Sequence, residues 1–367
     1  MKVKISEIGE VIGGGTPSTK KAEYYKKRGI SWITPKDLSG YTKMYISHGA
    51  RDISESGFKN SSTRILPKDT VLISSRAPIG YCAIAANDLT TNQGFKSIIP
   101  NKNKVLPKYL YYLMLSNKDN LEQIASGSTF KEVSGNAMKN FVVEIPNLEK
   151  QREVVNIIDP ISKKIELNNQ INDNLLKLAR EQYKKIIASS VLVETKLKDF
   201  AIIIMGQSPN SKTYNEKGIG IPLLNGAADF RDGIHPKKWT TDPKRIVNKG
   251  AYIFGVRATV GLTTKVYDNY AIGRGTGSAV AKDVTNDEFL YFVLEDMFKY
   301  FANTASGSVY INISKNDFEE YTFYKPQDKE LELFHKIINP IMKKIYTNKE
   351  ENLILTQIKK SLLNYFL

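Results

Sequence analysis

The sequence predicts a duplicated chain of mixed α and β structure: two globular modules of short strands and helices, each followed by one long amphipathic helix. Three observations carry this. Over residues 148–190, Val154, Ile158, Ile161, Ile165, Ile171, Leu175, Leu178 and Ile186 recur mostly at three- and four-residue steps among charged and amide residues. That spacing draws one apolar stripe along a helix. The same grammar returns over 327–367, through Phe334, Ile338, Ile341, Ile345, Leu355, Ile358 and Leu362. Segments of the two halves also match at a shift of 180 residues.

The long helices come first, because they organise the rest. About 40 residues of helix span roughly 60 Å, several times the usual globular length, and a stripe that long needs covering. The two stripes are expected to cover each other. Ile-Ile-Asp-Pro-Ile at 157–161 reappears as Ile-Ile-Asn-Pro-Ile at 337–341, and Ile165, Asn168, Leu175 and Leu178 map to Ile345, Asn348, Leu355 and Ile358. The expected seam is therefore Ile158, Ile161, Ile165, Asn168, Leu175 and Leu178 against Ile338, Ile341, Ile345, Asn348, Leu355 and Ile358. A polar Asn at matching seam positions is a device for fixing register. Pro160 and Pro340 leave one straight helix or two kinked segments open in each case.

The modules repeat as well. Ala125-Ser126-Gly127-Ser128 recurs as Ala305-Ser306-Gly307-Ser308, Leu110-Tyr111-Tyr112 as Leu290-Tyr291-Phe292, and Arg76-Ala77-Pro78-Ile79-Gly80 as Arg257-Ala258-Thr259-Val260-Gly261. Thr16-Pro17-Ser18 aligns with Ser208-Pro209-Asn210. The chain thus divides into a module over 1–147, a helix over 148–192, a second module over 193–326 and a second helix over 327–367. The first helix ends where the second module begins, so the second helix must run back if the stripes are to meet. An antiparallel coiled coil with an internal pseudo-two-fold repeat is expected.

Composition narrows the function. The formal charge is +15 with pI near 9.4, which suggests a polyanionic partner. Two related basic modules suit two half-sites on a nucleic acid. Cys82 is the single cysteine, expected as a small buried side chain, and no internal disulfide can form. No apolar run approaches a membrane span and the first residues lack a signal-peptide core, so no membrane partner and a cytoplasmic location are expected.

Within the first module, Gly13-Gly14-Gly15 reads as a loop able to bring backbone N–H groups close to a phosphate, without the Lys-Ser/Thr of a nucleotide loop. Lys20, Lys21, Lys26, Lys27 and Arg28 surround Tyr24 and Tyr25, a basic and aromatic mixture common on nucleic-acid surfaces. Residues 31–38 and 66–76 read as strands entering turns, Tyr109 to Ser116 as a helix, and 141–146 as a closing strand. Arg76, Asn92 and Gln93 are candidate base readers, since Arg pairs bidentately with guanine and Asn or Gln with adenine; a turn or structural hydrogen bond is the competing reading for each.

The order of Gly-Thr-Pro-Ser, Trp-Ile-Thr-Pro-Lys-Asp-Leu, Leu-Pro-Lys-Asp-Thr-Val-Leu-Ile-Ser-Ser-Arg-Ala-Pro-Ile-Gly, Thr-Asn-Gln-Gly-Phe and a closing Ile-Pro before a Gln-Arg helix resembles the specificity subunit of type I restriction-modification systems. The resemblance covers essentially the full chain. It implies target-recognition domains of α+β class with a mixed β-sheet, a split asymmetric DNA site, and helices that set the gap. It also implies assembly with two modification subunits, which carry S-adenosylmethionine and methylate adenine, and with restriction subunits that hydrolyse ATP with Mg and cut DNA. The candidate DNA-contacting residues are Thr16, Ser18, Lys20, Lys36, Arg76, Asn92, Gln93, Phe95, Ser128 and Lys131, with Gln207, Ser208, Asn225, Arg257, Arg274, Ser308 and Tyr310 in the second module.

That module departs from the pattern where Ile272-Gly273-Arg274-Gly275-Thr276 replaces Thr-Asn-Gln-Gly-Phe. Arg274 in place of Gln93 fits a different base preference. Gly273, Gly275 and Gly277 lack the strand-helix context of a dinucleotide loop.

Catalytic signatures are missing. No Asn/Asp-Pro-Pro-aromatic segment, Walker lysine motif or paired metal ligand spacing occurs, and His48, His235 and His335 stand apart from any Cys or His. No catalysis and no bound cofactor or metal are expected of this chain. The competing readings are a free-standing DNA-binding protein, a methyltransferase fragment and a coiled-coil adaptor.

Overall fold

The computed structural model describes residues 1–127, 131–231, 233–256, 260–304 and 313–367. It contains two compact units: Met1–Leu167 with Ile354–Leu367, and Asn168–Leu353. Each unit therefore holds one module and a stretch of both long helices.

In the first unit, a mixed five-stranded sheet has the order Gly9–Gly13, Lys96–Pro100, Val71–Ile73, Cys82–Ala85, Tyr45–Ile46. Its neighbours are antiparallel except for the last pair, which is parallel. Val71, Leu72 and Ile73 are all fully buried. Because side chains alternate across a strand, both faces of the sheet must be covered. Val71, Ile73, Ile84 and Ile98 pack with helix Pro107–Ser116 and with Val154 and Ile158 of the first long helix. Leu72, Ala83, Ala85, Ile12, Ile33 and Phe95 form the core of the other face.

The opening stretch departs from a simple strand. Ile5–Ile8 is a helical turn, and the strand starts at Gly9. Glu7 accepts the Lys4 backbone N–H at 2.8 Å, and Ile5 and Ile8, three apart on that turn, are both fully buried. The second unit repeats this with Leu197–Phe200 before strand Ala201–Met205.

The register repeats too. Gly13 lies opposite Lys96 as Met205 lies opposite Gly277. The second unit's sheet runs Ala201–Met205, Thr276–Ala281, Tyr252–Gly255, Thr263–Lys265, beside a separate five-stranded sheet built around Ile221–Leu224 and Tyr270–Ile272. Helix Asp287–Thr304 supplies Phe289, Phe292 and Leu294 to a core shared with Ala179, Tyr183, Phe334 and Ile338.

The long helices span Leu148–Ser189 and Asp328–Phe366, and neither ends at its internal proline. Within the second unit their antiparallel register is fixed by asparagines. Asn168 Nδ2 donates to Asn352 Oδ1 and Asn348 Nδ2 to Asn172 Oδ1, both at 2.9 Å. Positions 168 and 172 correspond to 348 and 352 under the repeat, so each bond is the symmetry image of the other. Asn168 and Asn348 do not bond to each other, as one shared seam layer would require, but to the partners one turn on.

The expected seam is corrected at two positions. Ile158, Ile338 and Ile345 are buried and Ile161, Ile165, Leu175, Ile341 and Leu355 half-buried, but Leu178 is 48% exposed and Ile358 44%. The stripe continues four residues beyond 175 and 355, not three, at buried Ala179 and half-buried Lys359. Lys359 lies with its ammonium 5.5 Å from the Tyr112 ring centroid, and burial draws its pKa below the usual lysine range against the opposing pull of Asp159.

Module and helix are clamped at equivalent positions by different chemistry. Lys108 Nζ meets Asp159 Oδ2 at 2.8 Å; 180 residues later, Asn339 Nδ2 donates to buried Glu288 Oε1 at 2.6 Å.

Removing the Asn348 amide strands the Asn172 carbonyl oxygen. Asn348→Ala is expected to cost about 1–3 kcal/mol of stability, whereas Ile358→Ala at an exposed site is expected to stay within about 0.5 kcal/mol. Urea unfolding midpoints of the two variants check this; an Ile358→Ala loss as large as that of Asn348→Ala would return position 358 to the seam.

Candidate nucleic-acid interface

In the first unit, strands Trp32–Ile33 and Thr90–Thr91 pair in parallel, Trp32 opposite Thr90 and Ile33 opposite Thr91. Parallel strands end at the same edge. The segments after them, Thr34-Pro35-Lys36 and Asn92-Gln93-Gly94, therefore emerge side by side, tied by the Asn92 N–H donating to the Ile33 carbonyl at 2.9 Å. Asp37 Oδ2 accepts from the Thr34 N–H at 2.7 Å and from its hydroxyl at 2.6 Å. This capping interaction starts the short helix Pro35–Leu38 and leaves Lys36 exposed. Asn92 Oδ1 accepts the Gly94 N–H at 2.9 Å, a local turn bond that presents Gln93 to solvent at the tip.

The glycine loop packs over this edge. The Gly14 N–H donates to the Phe95 carbonyl at 3.4 Å and the Gly15 N–H to the Thr91 carbonyl at 2.9 Å. The expected phosphate cradle is thereby corrected, since these two N–H groups already have backbone partners. What the loop requires is closeness. A Cβ on Gly14 would fall 1.9 Å from the Asn92 carbonyl oxygen, a distance no side chain tolerates. The loop delivers Thr16, whose hydroxyl donates to Gln93 Oε1, while Ser18 and Lys20 stay exposed.

Phe95 is a second correction. It is fully buried in the core beneath the tip, because it opens the inward-facing register of the next strand, and it cannot touch a ligand. Arg76 lies next door, since the Ser75 N–H donates to the Gly94 carbonyl at 2.7 Å. Arg76 Nε and Lys96 Nζ both donate to Glu132, at 2.9 and 3.0 Å. Partial burial opposes ionisation of Glu132, but these two hydrogen bonds outweigh it and hold the carboxyl below its usual range. Two cations on one carboxylate leave the group net positive, with Arg76 47% exposed and Lys131 exposed beside it. Ser128 lies outside the described residues.

The second unit rebuilds the same frame. Leu223 pairs in parallel with Ala271 and Leu224 with Ile272, and the Gly273 N–H donates to the Leu224 carbonyl at 2.9 Å. The Gly206 N–H donates to the Thr276 carbonyl at 2.9 Å, Gln207 N–H to the Ile272 carbonyl at 3.0 Å and Val256 N–H to the Gly275 carbonyl at 3.1 Å. These match the bonds of Asn92, Gly14, Gly15 and Ser75 one for one. Asp229 Oδ2 accepts from the Asn225 and Gly226 N–H groups at 2.8 and 3.2 Å, in the place of Asp37. Ser208 Oγ donates to Asn225 Oδ1 at 3.4 Å and accepts the Arg274 N–H at 3.3 Å. Gln207, Asn225 and Arg274 are exposed at this edge. Gly273 and Gly277 serve packing: a Cβ on the first would fall 2.0 Å from Asn225 Oδ1, and on the second 2.4 Å from the Phe254 ring. Arg257, Ser308 and Tyr310 lie outside the described residues.

Sequence reading missed Asp37 and Asp229, which hold the middle loop of each frame. The Thr-x-x-Asp spacing of Thr34 and Asp37 was the available signal. Among the described residues no cluster of three or more His, Cys, Asp or Glu could hold a metal, and no helix is long and apolar enough to cross a membrane.

Because Glu132 titrates below its ordinary value, its contribution is complete above the usual carboxylate pKa of about 4.3 and fades as pH falls through the lower folded value. The stability difference between wild type and Glu132→Gln is therefore expected to shrink on acidification below about pH 4.3. Urea midpoints taken across the acid range check it, and a difference constant with pH would show that the two cations do not depend on this carboxylate.

The model of the type I restriction modification DNA specificity domain matches the chain twice, over residues 1–177 and 192–360. The type I restriction enzyme MjaIX specificity subunit of Methanocaldococcus jannaschii is 32% identical over 399 residues, covering 98% of this chain and 90% of its own length. The EcoR124I/EcoR124II specificity subunit of Escherichia coli is 29% identical over 189 residues, 49% of this chain and 45% of that one. The crystal structure of a type I restriction-modification S subunit from M. genitalium covers all of this chain and 96% of its own with a TM-score of 0.60; at 16% identity the likeness is one of fold.

Proposed function

The chain belongs to the family of type I restriction-modification DNA specificity subunits, and from that premise we propose that it reads a bipartite, asymmetric site on double-stranded DNA, one half-site per module. The observation that carries this reading is the duplicated frame: the same set of backbone hydrogen bonds presents Gln93 in one module and Arg274 in the other. An amide pairs bidentately with adenine and a guanidinium with guanine, so one scaffold with different tips suits two unequal half-sites. The Thr16 hydroxyl bonded to Gln93 Oε1 orients the amide, and at the equivalent place Ser208 Oγ accepts the Arg274 backbone N–H. Exposed Lys20, Lys36 and Lys131 suit phosphate contacts, which position the protein and dominate affinity, while the tips choose the sequence.

The chain itself performs no reaction in this proposal. Exposed Ile157 and Ile337, and exposed Leu178 and Ile358, occupy repeat-related positions on the two long helices. Such equivalent apolar faces suit two copies of one partner, the modification subunits, which carry S-adenosylmethionine and methylate adenine. Restriction subunits, using ATP and Mg, would cut DNA, all in the cytoplasm.

Sequencing of methylated adenines in cells that hold the chain and its partner subunits tests the proposal. Gln93→Arg is expected to change the base preference in one half-site only, and Arg274→Gln in the other only, with the gap between half-sites unchanged. An unaltered methylation motif in both variants would refute the assignment of the tips.

A further inference from the structure

A second duplicated feature lies beside the tips. Strand Tyr25–Lys26 pairs antiparallel with Asp52–Ile53, Tyr25 opposite Ile53. In the second unit Tyr214–Asn215 pairs antiparallel with Lys238–Thr240, Tyr214 opposite Thr240. Two residues before each of those partners stands a cation, Arg51 and Lys238. The Arg51 guanidinium lies 4.2 Å from the Tyr25 ring centroid and 5.4 Å from that of Trp32. The Lys238 ammonium lies 5.8 Å from the Tyr214 ring centroid. Both cations are exposed. Among the described residues neither has a carboxylate partner, and the neighbouring Asp52 is engaged by the Gly29 N–H at 3.0 Å.

The aromatic platform of the first unit is tied to the proposed reading edge. The Tyr25 hydroxyl donates to the Pro17 carbonyl at 2.7 Å and Trp32 Nε1 to the Gly15 carbonyl at 3.0 Å, so the platform flanks Thr16 on both sides. In the second unit Thr213, the residue before Tyr214, donates its hydroxyl to the Asn210 carbonyl at 2.7 Å, two residues past Ser208. A cation over an aromatic face is held in place electrostatically while its charge stays available. The same strand register and the same cation-over-tyrosine pairing recur in two modules that differ in sequence, which a chance surface contact would not reproduce.

We infer that Arg51 and Lys238 are paired phosphate clamps, each gripping the nucleic-acid backbone next to its module's half-site. The inference rests on the DNA-reading proposal and adds residues that fix register on the duplex without selecting bases. Guanidinium geometry allows Arg51 a bidentate grip on a phosphate, and Lys238 supplies a point charge.

The test measures binding of the full-length chain to a duplex of random sequence, about 30 base pairs long, over a range of salt concentrations. Each phosphate contact contributes about 0.9 to the slope of log K against log salt. Arg51→Gln and Lys238→Gln should each flatten the slope by roughly that amount, and the double variant by roughly twice as much. Arg51→Lys should restore most of the slope, and Tyr25→Phe, which keeps the ring, should leave it unchanged. Melting temperatures verify that every variant is folded. If wild type binds and the Gln variants keep its slope, the clamp is overturned alone. A wild-type chain that binds no duplex would overturn the DNA-reading proposal along with it.

Discussion

Everything at the proposed reading edge depends on one short piece of parallel pairing in each module. Ile33 beside Thr91, and Leu224 beside Ile272, bring two chain segments out at the same edge in the same direction, and a single backbone bond across the exit keeps them together. Glycine does the rest. With Gly14 and Gly206 the covering loop approaches so closely that a Cβ would overlap carbonyl oxygens at 1.9 and 2.1 Å. The frame is thus made almost wholly of backbone, and backbone bonds are indifferent to the side chains they carry. That separates the geometry of presentation from the identity of what is presented, which is the condition for one fold to read different sequences.

The repeat follows the same logic elsewhere: it preserves positions more strictly than chemistry. The module-to-helix clamp is Lys108 with Asp159 in one unit and Glu288 with Asn339 in the other. The donor has moved from the module to the helix, and the contact survives because both members differ together. Position 179 is a buried Ala where position 359 is a lysine lying by a tyrosine ring. The paired asparagine bonds of the helices, by contrast, keep the same side-chain chemistry in both halves. A buried amide is costly to leave unmatched, and the register it enforces suits both helices at once.

Much of this was legible in the sequence, for physical reasons. A stripe sustained over a long helix repeats its signal many times, and the shift of 180 residues tied one half to the other. Sequence and structure part where a single step matters. Leu178 and Ile358 are apolar and three residues on, which fits a seam in sequence, but the stripe takes a four-residue step there and passes through Ala179 and Lys359. Adjacency to Gln93 suggests the interface for Phe95, but the strand that begins beside it turns its ring into the core. The glycine loop reads as an anion site in sequence because nothing in the order of residues shows that the Thr91 and Phe95 carbonyls take its N–H groups. Arg51 was invisible for the same reason. Nothing in the order of residues shows that it lies over Tyr25; the strand pairing does.

The central claim is that DNA bases lie against the tips at Gln93 and Arg274. The most direct measurement is photo-cross-linking of target duplex to a benzophenone side chain introduced at each of these positions in turn. The account predicts cross-links to bases in two separate tracts, one for each position. Cross-links confined to a single tract, or none from either tip while a probe at exposed Lys139 of the first module reacts, would contradict it.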